Sequence, residues 1–265
     1  MVLPVVVLTM KSIAIVYHSG VCNTRKVAEK IYARLSDHYN IALFSVENIP
    51  DGFTFNDYDG VVIGFPVIHS HPSKRILKFL QDIKPLETAK AAYIFTTCGL
   101  YSANTLRIFA KRCIPQNIVP IIHRAFRGCP AADGTLLAPC IDWFYRFPND
   151  LDRNIERDVT AFCHGIENSV VKPNIPRFKL YSILNYPNKL AGKLITFPIF
   201  LHKQKCLKCG KCAADCAASA LEKDTEGYPV FNPTKCEKCY RCIHHCPKLA
   251  LSLSKSKSPK RGLGC

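Results

Sequence analysis

The sequence has no apolar run long enough to cross a membrane. The stretch from Val2 to Leu8 is too short, and the stretch from Leu190 to Leu201 is also short and is interrupted by Lys193. The sequence begins without the basic segment, apolar stretch and small-residue cleavage site of a signal peptide. The fifteen cysteines therefore favour a reduced, cytoplasmic setting over a disulfide-rich secreted one.

Acidic residues are scarce, with 20 Asp and Glu against 36 Lys and Arg and a formal net charge of +16. From Asn168 to Ala214 there is no acidic residue at all. This basic stretch predicts either an acidic protein partner or a merely solvated surface. Nucleic-acid binding ranks last among the uses of such a surface, because no recognition motif accompanies the lysines.

What is present is a repeated cysteine pattern in the last third of the chain. Each run is spaced C-x2-C-x2-C-x3-C, and the second follows the first after thirty residues. The runs are Cys206, Cys209, Cys212 and Cys216, and Cys236, Cys239, Cys242 and Cys246. Three thiolates on one tight turn suit three corners of a [4Fe–4S] cube, with the fourth ligand coming from elsewhere. Zinc ribbons also use C-x2-C pairs, but a single zinc needs no such third and fourth cysteine.

Residues 203–253 resemble bacterial-type two-cluster ferredoxins, and Cys246-Pro247 keeps the proline that usually follows the fourth cysteine. In the first run Ala217 takes that place. The resemblance implies that each run lends its fourth cysteine to the other cluster. One cluster is then held by Cys206, Cys209, Cys212 and Cys246, and the other by Cys236, Cys239, Cys242 and Cys216. Ala220-Leu221 repeats as Ala250-Leu251, and we expect each run to lead into a short helix there.

Ahead of these runs, strand-like and helix-like segments alternate. Apolar runs at 12–18, 41–46, 60–65, 91–97 and 118–123 predict strands, with helical patterns between them and a further helix from Asn149 to Val170. Such alternation predicts an α/β domain with a doubly wound parallel sheet. The smaller carboxyl-terminal domain is expected to be α+β.

The loop after the first strand is suited to a phosphate. Ser19, Asn23 and Thr24 supply donors at the start of a helix, where backbone N–H groups and the helix dipole favour an anion. A loop of this kind can also do no more than cap its helix.

The segment from Tyr17 to Lys26 resembles the phosphate loop of flavodoxins, and with the cysteine runs it resembles the flavodoxin–ferredoxin fusion family, or iron–sulfur flavodoxins. The resemblance extends through Gly64-Phe65-Pro66 and through 96–105, both at carboxyl ends of strands, where flavodoxin-like folds hold the flavin ring. It implies FMN, with contacts from Ser19, Gly20, Asn23, Thr24, Pro66, Thr97, Gly99, Tyr101 and Asn104. Val21-Cys22 stands where the family has Thr-Gly, which weakens the phosphate cradle.

These patterns predict four segments: a flavodoxin-like FMN domain at 10–170, a linker and domain-packing segment at 171–200, a two-cluster domain at 201–255 and a basic tail at 256–265. The cysteines outside the runs are interpreted as small apolar fillers, apart from the terminal Cys265. They are Cys22, Cys98, Cys113, Cys129, Cys140 and Cys163. Two clusters and a flavin phosphate lower the net charge to about +10.

The predicted function is electron transfer between FMN and the two clusters in anaerobic-type redox metabolism, as a carrier or an oxidoreductase component. Two alternatives remain: a ferredoxin whose flavodoxin-like domain is a flavin-free docking module, and a flavin-dependent reductase of a small acceptor. No G-x-G-x-x-G follows a strand, so hydride exchange with a nicotinamide has little support.

Overall fold

The computed structural model describes residues 10–99, 101–128, 150–170, 172–185, 190, 198–256 and 258–259. The predictions for Cys129, Cys140 and Cys265, and for most of the basic tail, lie outside these residues.

Residues 12–127 form a parallel sheet with one short antiparallel addition. Its strands are β1 (Ser12–Tyr17), β2 (Asn40–Ser45), β3 (Gly60–Ile68), β4 (His71–Pro72), β5 (Lys90–Cys98) and β6 (Ile118–Arg127). The order is β2-β1-β3-β5-β6, and β4 pairs only with β3. Without the two-residue β4, this is the 2-1-3-4-5 order of flavodoxin-like sheets. The predicted α/β fold class is confirmed.

Helices cover both faces of this sheet. They are α1 (Asn23–Leu35), α2 (Lys74–Asp82), α3 (Thr105–Cys113) and α4 (Asp150–Glu167). Alternate side chains of β1 point to opposite faces of the sheet. Ile13 and Ile15 lie in one hydrophobic core, and Ala14 and Val16 lie in the other. The first core receives α1 and α4, and the second receives α2 and α3. The sheet is therefore doubly wound, as the sequence predicts.

The segment 172–185 runs back over the sheet domain. The Asn174 N–H donates to the carbonyl of Pro120 at 2.7 Å, and Arg107 donates to the carbonyl of Pro176 at 2.8 Å. Ile175 packs on the core beneath α2 and α3. This part of the connecting segment is held against the first domain before the chain reaches the cysteine runs.

The carboxyl-terminal unit contains two short antiparallel pairs and two one-turn helices. The strands are β7 (Phe200–Leu201), β8 (Leu221–Lys223), β9 (Pro229–Phe231) and β10 (Leu251–Ser252), and the helices are α5 (Lys211–Ala214) and α6 (Arg241–His244). β7 pairs with β10, and β8 pairs with β9. Leu221 and Leu251 begin strands, so the helices expected there are wrong. Each of the two helices instead contains the third cysteine of its run, Cys212 in α5 and Cys242 in α6.

Among the residues that the structure describes, no helix has the length and apolar character needed to span a membrane.

Candidate functional site: two four-cysteine cavities and a helix amino terminus

The first cavity lies in the outer part of the carboxyl-terminal unit. Cys206, Cys209, Cys212 and Cys246 line a space of about 440 Å³, together with Leu207 and residues from both cysteine runs. Cys209 is exposed. The structure thus brings three cysteines of the first run together with the last cysteine of the second.

The second cavity has the reciprocal composition. Cys216, Cys236, Cys239 and Cys242 line a space of about 480 Å³, with Phe231 and Tyr240 on its wall. His18 of the first domain also lines this cavity. Within the described residues, no three His, Cys, Asp or Glu side chains converge closely enough to hold a single metal ion. The cysteines are instead spread around two open spaces.

The two runs repeat in backbone conformation as well as in sequence. Positive φ angles occur at Lys208 and Lys238 and at Gly210 and Tyr240, which are equivalent positions thirty residues apart. The Lys208 N–H donates to the Cys206 sulfur at 3.4 Å, and the Lys238 N–H donates to the Cys236 sulfur at 3.3 Å. Such N–H···S bonds stabilise thiolates and tune the potential of a cluster.

The fourth cysteines carry matching bonds. The Ala220 N–H donates to the Cys216 sulfur and the Ala250 N–H to the Cys246 sulfur, both at 3.2 Å. Burial and neighbouring cysteines raise the pKa of the Cys239 and Cys242 thiols. The positive charge of bound iron offsets that penalty, because metal ligation requires the thiolate. This donor set fits an iron–sulfur cluster.

The predicted phosphate residues meet at the amino end of α1. Cys22, immediately before the helix, makes no side-chain cap, and no acidic residue lies in the first turn. The Ser19 hydroxyl accepts from the Arg25 N–H at 3.2 Å, and the Thr24 and Thr97 hydroxyls are 2.8 Å apart. Each hydroxyl has capacity for a further bond. Ser19 thus caps one N–H of the first turn, and this helix end with its neighbouring hydroxyls fits a phosphate group.

Cys22 adopts φ 70° and ψ −16°, the left-handed conformation that glycine favours. The loop therefore has a backbone shape suited to glycine although it has a cysteine there. Cys22 is disulfide-bonded, so interpreting it as a simple apolar filler is wrong.

The other predicted flavin residues lie at the same edge of the sheet. Pro66 and Thr97 are paired in register on β3 and β5, and the Gly99 carbonyl accepts from Arg127 at 3.1 Å. Tyr101, 37% exposed, makes an edge contact with Tyr181 at 5.7 Å between ring centroids. These residues surround the crevice in which flavodoxin-like folds bind their ligand.

Asn104 is engaged by the connecting segment. Its carbonyl oxygen accepts from the Lys179 N–H at 2.8 Å, and its amide bonds the Ser182 hydroxyl. The Lys179 ammonium reaches the Ser102 hydroxyl at 3.0 Å. Asn104 therefore holds the segment 179–182 over the loop, which is a different contact from the one predicted for it.

The second cavity lies directly against the phosphate loop. A Cβ added to Gly20 would lie 3.1 Å from the carbonyl oxygen of Cys239. Arg241 donates to the Gly20 carbonyl at 3.1 Å, to the Ser19 carbonyl and to the Asp215 carbonyl at 3.4 Å. One guanidinium thus joins the phosphate loop to both cysteine runs.

Further polar contacts fix the same interface. Arg75, at the start of α2, pairs with Glu237 at 3.1 Å and donates to the carbonyl of Ala217. His245 bonds Asp215 at 3.2 Å and lies 3.6 Å from the Cys22 sulfur. The two domains are therefore joined at the carboxyl edge of the parallel sheet.

The buried His18 and the partly buried Glu47 form a polar pair beside the second cavity. The His18 ring is 3.4 Å from the Glu47 carboxylate and 2.8 Å from the Ser73 hydroxyl. Burial lowers the pKa of His18 to about 4, against the opposing effect of Glu47. Burial disfavours the Glu47 carboxylate, but His18, the Ser45 hydroxyl and Arg241 outweigh this and lower its pKa.

Three other cysteines are buried free thiols, as predicted for apolar fillers: Cys98, Cys113 and Cys163. Burial raises the pKa of the Cys98 thiol to about 11 and that of Cys163 to about 12. These thiols stay protonated at neutral pH and take no part in ligation.

Models of two known families match separate parts of the chain. A flavodoxin domain model matches residues 14–118, and a 4Fe-4S dicluster domain model matches residues 205–250. A curated ferredoxin of Pyrobaculum islandicum is 31% identical over 62 residues, which are 23% of this chain and 58% of that protein. The chain thus spans little more than half the length of this relative.

Solved structures with similar folds include flavodoxin 1 of Bacillus cereus, with a TM-score of 0.43 and 14% identity, covering 60% of this chain and 99% of that one. A Fusobacterium nucleatum flavodoxin bound to flavin mononucleotide gives a TM-score of 0.40 and 13% identity, covering 60% of this chain and 98% of that one.

The sheet order and the two family matches show a flavodoxin domain followed by a 4Fe-4S dicluster domain in one chain. This combination fits a flavodoxin–ferredoxin fusion and supports an electron-transfer role. The flavodoxin domain implies FMN, and the dicluster domain implies two [4Fe–4S] clusters.

Sequence reasoning missed the residues that join the domains. Arg241 contacts Ser19 across 222 positions of sequence, and Arg75 contacts Glu237 across 162. Arg75 belongs to no recognisable motif, and Arg241 occupies a variable position of the second cysteine run, between Cys239 and Cys242. His18 lies inside the phosphate-loop motif, but nothing in the motif indicates that it faces a cysteine cavity.

Proposed function

We propose that this protein passes electrons between FMN and two [4Fe–4S] clusters within one chain, as a carrier or reductase component of anaerobic-type redox metabolism in the cytoplasm. Flavins exchange one or two electrons and clusters exchange one, so the combination links carriers of both kinds. The proposed domains are the flavin domain at 10–170, the segment 171–200, the cluster domain at 201–255 and the tail at 256–265.

The contact between Gly20 and Cys239 carries this proposal. It sets a backbone atom of a cluster-ligand residue against the phosphate loop, with no intervening side chain. We assign Cys216, Cys236, Cys239 and Cys242 to the cluster beside the flavin domain, and Cys206, Cys209, Cys212 and Cys246 to the outer cluster. Close approach of cofactors is what electron transfer inside a protein requires.

The first domain's residues hold the flavin phosphate in this proposal. Ser19, Asn23 and Thr24 bind it through hydroxyl, amide and backbone donors at the amino end of α1. Tyr101 and the loops containing Pro66, Thr97 and Gly99 border the ring. Arg241 fixes the position of the inner cysteine cavity relative to the phosphate loop, because its guanidinium binds carbonyls on both sides of the domain interface.

The test is anaerobic stopped-flow photoreduction of the full chain carrying its cofactors. Flavin and cluster absorbance should relax together at a rate independent of protein concentration. R241A should slow this relaxation about tenfold, since it removes the hydrogen bonds that orient the domains. R112A changes an exposed arginine on α3 and serves as the control. Relaxation that depends on protein concentration contradicts transfer within one chain.

A flavin-free docking module is the second candidate. The bonds from Asn104 to Lys179 and Ser182 favour it, because they already use a side chain predicted to serve the flavin. Purified protein with intact clusters that binds no added FMN would establish this alternative.

A further inference from the structure

The two cysteine cavities differ in the charges around them. The outer cavity is lined by Lys208, Lys211, Lys223 and Lys248 and by no acidic residue. Among the described residues, none of these four lysines forms an ion pair with a carboxylate. The inner cavity is lined by Asp215 and Glu237 and by one cation, Arg241.

The cavities also differ in exposure. At the outer cavity Cys209 is exposed and Leu207 is 60% exposed. At the inner cavity Cys242 is buried, and the phosphate loop covers Cys239. The flavin domain therefore covers part of the inner cavity, whereas the outer cavity presents an apolar side chain and a ligand cysteine to solvent among lysines.

From this asymmetry we infer that the surface formed by Leu207, Cys209 and the four lysines Lys208, Lys211, Lys223 and Lys248 is the docking site for an acidic one-electron carrier protein. At this lysine surface the cluster of the outer cavity exchanges electrons with the docked carrier. The cluster of the inner cavity exchanges electrons with the flavin domain. The inference rests on the proposed function in so far as both cavities must hold clusters.

The positive charge of the lysine surface indicates that its partner is an acidic protein. Unpaired lysines around an apolar centre attract a negative protein surface and orient it during encounter, and Leu207 offers the contact that loses water on docking. Tyr228 lies beside the lysine surface. The ammonium groups of Lys203 and Lys208 are 4.8 and 4.2 Å from the centroid of its aromatic ring. Such contacts hold both ammonium groups near the surface.

The exchange is a balanced single-electron step. A reduced cluster held by Cys206, Cys209, Cys212 and Cys246 would lose one electron and the carrier would gain it, so that no bond would form or break and no proton would be required. The lysines also favour the extra negative charge of a reduced cluster, whereas Asp215 and Glu237 oppose it at the inner cavity. We therefore expect the outer cluster to have the higher reduction potential, which directs electrons outward.

Binding is the first test, measured by isothermal titration calorimetry on the full chain with its clusters. The probe is a [2Fe–2S] ferredoxin chosen for a strongly negative net charge, and a one-electron cytochrome of positive net charge is the opposite probe. Affinity for the acidic probe should fall steeply between about 0.01 and 0.15 M salt, as the Debye length shortens from about 30 Å to about 8 Å.

The variant K208E/K211E/K248E should weaken binding of the acidic probe at least tenfold. The matched control is K84E/K111E/R112E, which makes the same charge change at exposed positions on the flavin domain. It should bind the probe within about twofold of the parent protein. If the glutamate variant loses iron, K208Q/K211Q/K248Q replaces it, with a smaller loss of affinity expected.

Equal weakening by both triple variants contradicts the inference, because only net charge would then matter. Unchanged binding in the lysine-surface variants contradicts it as well. Neither readout needs FMN, so a protein that lacks internal flavin-to-cluster transfer fails the proposed function while leaving this inference intact. Conversely, fast electron transfer between flavin and clusters, without lysine-dependent binding of the acidic probe, would contradict the inference and leave the proposed function standing.

Discussion

At the scale of single residues, Cys22 shows how the phosphate loop accommodates an unfavourable side chain. Its φ of 70° costs a non-glycine residue about 1 kcal/mol. The loop keeps this conformation because β1 and α1 fix both of its ends and Arg241 binds the carbonyls of Ser19 and Gly20. The absence of glycine at this position therefore does not abolish the shape of the cradle.

A comparison of C22G with C22A measures that cost. Both substitutions remove the disulfide and the contact with His245, so the difference between them isolates the backbone conformation. We expect C22G to melt about 2–4 °C above C22A, which corresponds to about 1 kcal/mol for a domain of this size. Differential scanning fluorimetry under reducing, anaerobic conditions provides the measurement. Equal melting temperatures would show that the loop relaxes out of the left-handed conformation.

At the scale of elements, the two cysteine runs exchange their last ligands. Cys246 lies with the first run and Cys216 with the second, so each cavity joins the halves of the ferredoxin domain. A cluster bound in each cavity would link both halves of the domain. We expect this linkage to stabilise α5 and α6, which have only four residues each.

Paired substitutions test this exchange. C209S and C246S should each leave about four irons per chain, and the double variant should also leave about four, because both residues serve one cluster. C209S/C216S should leave almost none, because these two residues serve different clusters. Iron and sulfide analysis of anaerobically purified protein gives the counts. A ferredoxin domain in which each run holds its own cluster predicts the reverse, with C209S/C246S empty and C209S/C216S keeping four.

The resemblance to two-cluster ferredoxins predicted which four cysteines line each cavity. The spacing alone indicates only that the fourth ligand comes from elsewhere. The local elements were harder to predict. Ala220-Leu221 and Ala250-Leu251 carry good helix formers, yet Leu221 and Leu251 pair in strands. Tertiary contact with Phe231 and Leu201 overrides the intrinsic propensity at these two positions.

At the scale of the whole molecule, the parallel sheet was predictable because its strands and helices alternate with clear apolar patterns. The way the two domains meet was not predictable. Arg241 and Arg75 join segments more than 150 residues apart, and the position of a single arginine in sequence says nothing about such a partner. The connecting segment was likewise predicted only as domain packing, without its bonds to Ser102 and Asn104.

In the whole chain the inner cavity adjoins the phosphate loop through Cys239, and it shares both cysteine runs with the outer cavity, where Cys209 is exposed. These observations set the order from the phosphate loop through the inner cavity to the lysine surface. This order suits the proposed passage of electrons between the flavin, the two clusters and a docked carrier. The proposed internal transfer requires FMN and both clusters in one chain.

The most direct test of that claim is an anaerobic count of iron, sulfide and acid-released flavin in the purified full chain, with its absorbance spectrum. The account predicts about eight irons, about eight sulfides and one FMN per chain. Eight irons with no flavin, even after FMN is added, would contradict the proposed transfer between flavin and clusters. Zinc in place of iron would contradict the assignment of both cysteine cavities.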